Sequence, residues 1–164
     1  LSSHKRGWDD RWEEFSDWAE QAQILKDQLL KLVDEDTNSF NAIMDAIRLP
    51  KGTTEEKAIR SQAIQDSTRY AIEVPLKVME TSMQTFSIIK AMAEVGNPNS
   101  VTDAGVGALC VRAAVHGAFL NVKINTGGLK DKKFVADVLK KGKQMIQKAD
   151  KLEKEIMKIV NSKI

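Results

Sequence analysis

WDDRWEEFSDWAEQAQILKDQLLKLV, residues 8–33, places its apolar side chains at 8, 12, 15, 18/19, 22, 25, 29 and 32/33. Steps of three and four put them on one face of an α-helix, where a strand would alternate every second residue. The phase continues through Phe40, Ile43/Met44 and Ile47. The spacing therefore predicts a helix from about Trp8 to about Arg48, bent near residues 34–38. It must end at Leu49, because Pro50 disfavours helical geometry in the residue before it.

Further along the chain, Thr53 followed by Glu56 is a capping-box pattern that opens a second helix running to Val95, with Gly96 as its stop. Pro75 lies in its middle, removes one backbone hydrogen bond and crowds the preceding turn, so a kink or break near Glu73 is expected. A straight helix of that length would span about 60 Å. Ser100 with Asp103 repeats the capping signature and opens a helix that ends at Thr126-Gly127-Gly128, and Asp131 caps a last amphipathic helix with its lysines on the wet face. No strand-like alternation occurs anywhere. The expectation is an all-α, up-and-down bundle of about five helical segments, forming a single domain over residues 1–164.

The formal charge of +2 hides an asymmetry. Residues 123–164 carry twelve lysines against five acids, and the rest of the chain is acidic. A basic segment attracts polyanions, but lysines without a single arginine are a poor kit for reading bases, so no nucleic-acid partner is expected. The one cysteine, Cys110, and two histidines distant in sequence, His4 and His116, argue against a disulfide framework or a metal site. With no long uninterrupted apolar run and no signal-peptide pattern, the reading is a soluble cytoplasmic protein with no membrane partner.

The third helix is rich in glycine and alanine and polar at its two ends. At 100° per residue, Asp103, Gly107, Cys110, Ala114, Gly117/Ala118, Asn121 and Asn125 fall on one stripe. Small residues allow close approach of another helix, including the same helix of a second subunit. They equally leave a groove for a flat ligand. Asp103 reads either as the third-position carboxylate of a capping box or as a ligand-facing acid. Asn121 and Asn125 need partners if buried, from each other, a neighbouring chain or a ligand. Asp103 and Asn121 lie about 27 Å apart along a straight helix, so only a long ligand or an antiparallel dimer joins them. The segment His4-Lys5-Arg6-Gly7 and the tail lysines read first as solvated surface, and Met79, Met83 and Met92 as core filler.

Several separate phrases carry a resemblance over nearly the whole chain: LVDEDTNSFNAIMDAIRLPKGTTEEK (residues 32–57), AIEVPLKV (71–78), GNPNSVTDAGVGAL (96–109) and AAVHGAFLNVKIN (113–125) with its trailing LKD. They look like the formiminotetrahydrofolate cyclodeaminase family, which includes stand-alone methenyltetrahydrofolate cyclohydrolases. The resemblance implies an all-helical fold that forms a homodimer or higher homo-oligomer and binds a reduced folate, with or without a polyglutamate tail, in a cleft between helices. It implies tetrahydrofolate chemistry without a metal. In one branch the bridging aniline nitrogen attacks the formimino carbon and ammonia leaves; in the other, water interconverts methenyl and formyl forms. The alternative outside the enzyme class is a non-catalytic helical dimerisation module that keeps the bundle. Asp103 is implied as the acid/base or pterin anchor, Asn99 and Ser100 of the same turn as substrate contacts, Asn121 and Asn125 as ring or intermediate partners, and Lys5 as a partner for the folate carboxylates. Members of this family begin with a glycine-rich segment and a small-residue helix ahead of the equivalent of Leu1, and the expectation is a domain lacking them. A formiminotransferase would be a separate partner.

Overall fold

The computed structural model describes residues 6–164. Four α-helices follow one another: α1 (Trp12–Arg48), α2 (Thr54–Val95), α3 (Val101–Asn125) and α4 (Lys132–Asn161). Single 3-10 turns at Asp9–Arg11 and Pro98–Ser100 precede α1 and α3, and a third at Thr126–Gly128 begins the α3–α4 corner. No strand occurs among the described residues.

The expected five segments are four, because Pro75 does not divide α2. Proline lacks the N–H that would bond the carbonyl four residues back, which is that of Ala71. That carbonyl accepts a hydrogen bond from Asn125 Nδ2 at 2.9 Å instead. The helix therefore continues through a buried Pro75 with its freed acceptor satisfied from α3.

Helix ends follow the local chemistry. The Thr53 hydroxyl accepts from the Glu56 N–H at 3.1 Å while the Glu56 carboxylate accepts from the Thr53 and Gly52 N–H groups at 3.0 and 2.7 Å. Asp131 accepts from the Phe134 N–H at 3.0 Å and so starts α4. The capping box expected at Ser100 and Asp103 does not form. Ser100 precedes α3 without a side-chain capping bond, since Asn97 has already capped the 3-10 turn by accepting from the Asn99 N–H at 3.1 Å.

The buried positions repeat every seven residues. On α2 they include Ile72, Met79, Phe86 and Ala93; on α3 Val101, Ala104, Ala108, Val115, Ala118 and Val122; on α4 Ala149 and Ile156. A strict heptad in near-antiparallel helices is the signature of knobs-into-holes packing at a shallow crossing angle. The core lies among α2, α3 and α4, with Met83 and Met92 packed against it. α1 packs chiefly on α2, through Leu25, Leu32, Ser39 and Ala46. One contact allows no side chain: a Cβ on buried Gly142 of α4 would run into the Phe119 ring of α3.

By length and composition, the segment around α3 (residues 98–128, mean hydropathy 1.4) is long and apolar enough to cross a membrane. Its inner side packs on α2 and α4, and its other side is uncovered by the described residues.

Candidate functional site

Between the start of α1, the end of α2 and the start of α3 lies an open cleft of about 400 Å³. Phe15, Trp18 and Ala22, on one face of α1, form one wall, and Ile88, Ile89 and Met92 of α2 form the other. Asn97 and Ser100 of the connecting turn and Asp103 of α3 add its polar groups. Phe15 is itself held by stacking on Trp8, with ring centroids 5.3 Å apart, and by the Arg11 guanidinium 4.7 Å from its centroid. The size and the apolar lining with a few converging polar groups suit a small flat ligand. Indole and phenyl walls favour an aromatic ring system.

Asp103 is exposed and has no hydrogen bond or ion pair among the described residues. A carboxylate that is not engaged in capping, set on the rim of an apolar slot, is available to exchange protons with whatever occupies it. Ser100 is half-buried in the same cleft. Asn99 is exposed on the turn, does not line the cleft and donates its backbone N–H to Asn97. Lys5 lies outside the described residues.

The two asparagines sit at the other end of α3. Asn121 is exposed, and Asn125 is half-buried with its amide committed to the Ala71 carbonyl. α3 is continuous, so one chain does not bring Asp103 and Asn121 together; eighteen residues at 1.5 Å each is about 27 Å. Of the small-residue stripe, Gly107 lies against Ile89 of α2 and Ala118 is buried, whereas Cys110, Ala114 and Gly117 are not.

Beside that stripe, and meeting it at Gly117, runs an apolar row that the sequence alone did not mark. Val106, Leu109, Ala113, Gly117, Leu120 and Ile124 recur in helical steps along α3, and all but Gly117 and Ala113 are large apolar side chains left open, Ile124 at 79% exposure. The steps of three and four were visible in the sequence; that no described residue covers this face was not. The cleft walls Phe15 and Trp18 were also missed as site residues, because the helix carrying them is far from Asp103 in sequence.

A second polar cluster bridges α3 and α4. Asp150 Oδ1 accepts from Arg112 Nε at 2.6 Å and lies 2.9 Å from His116 Nε2. The hydrogen bond from His116, followed by that from Arg112, holds the Asp150 carboxyl below the usual carboxylate range. Among the described residues no three His, Cys, Asp or Glu side chains are grouped as a metal site would require.

Residues 1–144 match the sequence profile of the formiminotransferase-cyclodeaminase family. The chain is 35% identical over 145 residues to a methenyltetrahydrofolate cyclohydrolase of Methylorubrum extorquens, a match covering 88% of this chain and 70% of that protein. It is 37% identical over 122 residues to the formimidoyltransferase-cyclodeaminase of Rattus norvegicus, where it spans 23% of the longer protein and 74% of its own length. A solved structure of a formiminotetrahydrofolate cyclodeaminase from Thermotoga maritima superposes with a TM-score of 0.82 over 98% of this chain and 76% of that one. At 20% identity that likeness speaks for the fold. Profile, relatives and fold agree, and the chain belongs to the formiminotransferase-cyclodeaminase family of folate one-carbon enzymes.

Proposed function

We propose that the cleft binds a reduced folate and closes its one-carbon ring, converting 5-formiminotetrahydrofolate to 5,10-methenyltetrahydrofolate with release of ammonia. The observation that carries this reading is the unengaged Asp103 carboxylate on the rim of a cleft walled by Trp18 and Phe15. The apolar walls take the pterin ring. In the reaction the bridging nitrogen forms a bond to the formimino carbon and gives up its proton. The tetrahedral carbon keeps its bonds to both folate nitrogens and breaks the one to the former formimino nitrogen, which gains protons and leaves as ammonia. Asp103 is the acid/base that takes the first proton and returns one to the leaving group.

A second reading is favoured by the methenyltetrahydrofolate cyclohydrolase, whose sequence match covers 88% of this chain against 74% for the rat cyclodeaminase. Here water adds to the methenyl carbon, giving a tetrahedral carbon in the same place; one of its two bonds to the folate nitrogens then breaks, which leaves a formyl group on the other nitrogen and releases one proton overall. Both reactions ask the same of the cleft. Full-length protein incubated with 5-formiminotetrahydrofolate should raise methenyl absorbance and free ammonia in equal amounts. Loss of methenyl absorbance from added methenyltetrahydrofolate, with no turnover of the formimino compound, assigns the hydrolytic reaction. No turnover of either substrate refutes both.

The open row on α3 supports a homodimer formed through that helix. An antiparallel pair would carry Asn121 of one chain toward Asp103 of the other, which one continuous helix cannot do. The site is then shared between subunits.

A further inference from the structure

The last carbonyls of a helix have no intrahelical partner, and α2 supplies no basic residue in its own last turn. The Gly96 N–H satisfies Met92 O at 3.0 Å, which leaves the carbonyls of Ala93, Glu94 and Val95 without a helical donor. Lys163, just beyond α4, donates from Nζ to the first two, at 2.7 Å and 2.6 Å. One ammonium thereby meets two orphan acceptors and the negative end of the α2 dipole. Ala93 is a core residue with 1% of its surface exposed, so this bond ties the end of α2 to the end of α4 at the bundle's edge. Gly96 cannot stand in for that tie by carrying a side chain, since a Cβ there would collide with the Met92 carbonyl.

The chain enters the cleft directly after this anchored turn. Gly96, Asn97 and Ser100 line it, and Asp103 sits three residues after Ser100. We infer that Lys163 is a positioning residue for this site: by anchoring the last turn of α2 it sets the heading of the 96–100 turn, and through it the place of Asp103 against the α1 wall. Lys163 does not line the cleft and lies beyond the residues that match the family profile. The inference rests on the proposed folate-binding role of the cleft.

The test compares full-length wild type with Lys163→Met, which keeps the stem and removes the donors, and Lys163→Arg, which keeps donors and charge. The probe is 5-formyltetrahydrofolate, read by quenching of Trp18, with Trp18→Phe as the assignment control. Lys163→Met should raise Kd and KM by about tenfold, and Lys163→Arg should recover most of that loss. Hydrogen exchange at the backbone amides of Gly96, Asn97, Asn99 and Ser100 should quicken in Lys163→Met and return to the wild-type rate in Lys163→Arg. Gly142→Ala, a core change away from the cleft, is the stability control. The inference is overturned if Lys163→Met leaves Kd, KM and exchange as in wild type, or if Gly142→Ala at a matched loss of Tm reproduces the same rise in KM. Failure of the wild type itself to bind the folate refutes the proposed function, and the exchange measurement still decides whether Lys163 anchors the turn.

Discussion

A single carboxylate oxygen, Asp150 Oδ1, serves both Arg112 and His116 at the seam of α3 and α4. Because its folded pKa is depressed, the carboxylate contributes stability that is fully present above the unfolded value and is lost as pH falls through the folded one. Asp150→Asn should therefore lower Tm at pH 7, with the gap to wild type closing as the pH drops below about 4. Thermal melts at a series of pH values check this; a gap that stays constant into acid contradicts the assignment. The group is a third exposed, so the effect is screened and modest.

Among the helices, the phases were legible. Residues 8–33 announced α1, and Thr53/Glu56 and Asp131 marked the starts of α2 and α4 by bonds that form between near neighbours. Two expectations went astray where the deciding partner is remote or displaced. Pro75 reads as a kink or a break because its local cost is plain; the break does not occur, and the amide that relieves the Ala71 carbonyl comes from Asn125, 54 residues away from its acceptor. Ser100 and Asp103 read as a capping box, but the turn is already capped by Asn97, and this frees the carboxylate on the rim of the cleft. Asn125→Ala should leave the Ala71 carbonyl buried and unbonded and cost about 1–3 kcal/mol. Chemical denaturation measures that loss. In a variant that also replaces Pro75 by Ala, the freed carbonyl regains a backbone donor and the cost of losing Asn125 should shrink.

For the bundle as a whole, the cleft is assembled from α1, the end of α2 and the start of α3, so no single motif could display it. Asp103 and Ser100 were readable as site candidates, whereas Phe15 and Trp18 become walls only once α1 folds back along α2. Asn121 and Asn125 share a sequence phrase but not an environment: one is exposed, and the other is half-buried with its amide bonded to the Ala71 carbonyl. The open apolar row on α3 is likewise a property of the assembled bundle. Val106, Leu120 and Ile124 are 59%, 60% and 79% exposed, and burying them against a second copy would remove a continuous apolar strip from water. Leu120→Lys places a charge in that strip without disturbing the monomer core, and should convert a dimer to a monomer in sedimentation velocity. Turnover should fall with it if the site spans two subunits.

On the proposed function, Asp103 works on a ligand and not on its own helix. The direct measurement is turnover of 5-formiminotetrahydrofolate by full-length Asp103→Asn beside its Tm. The expected outcome is a fall in kcat of about 10²–10⁴-fold, with Tm close to wild type because no capping bond is lost. A variant that melts markedly earlier yet turns over at the wild-type rate would contradict it.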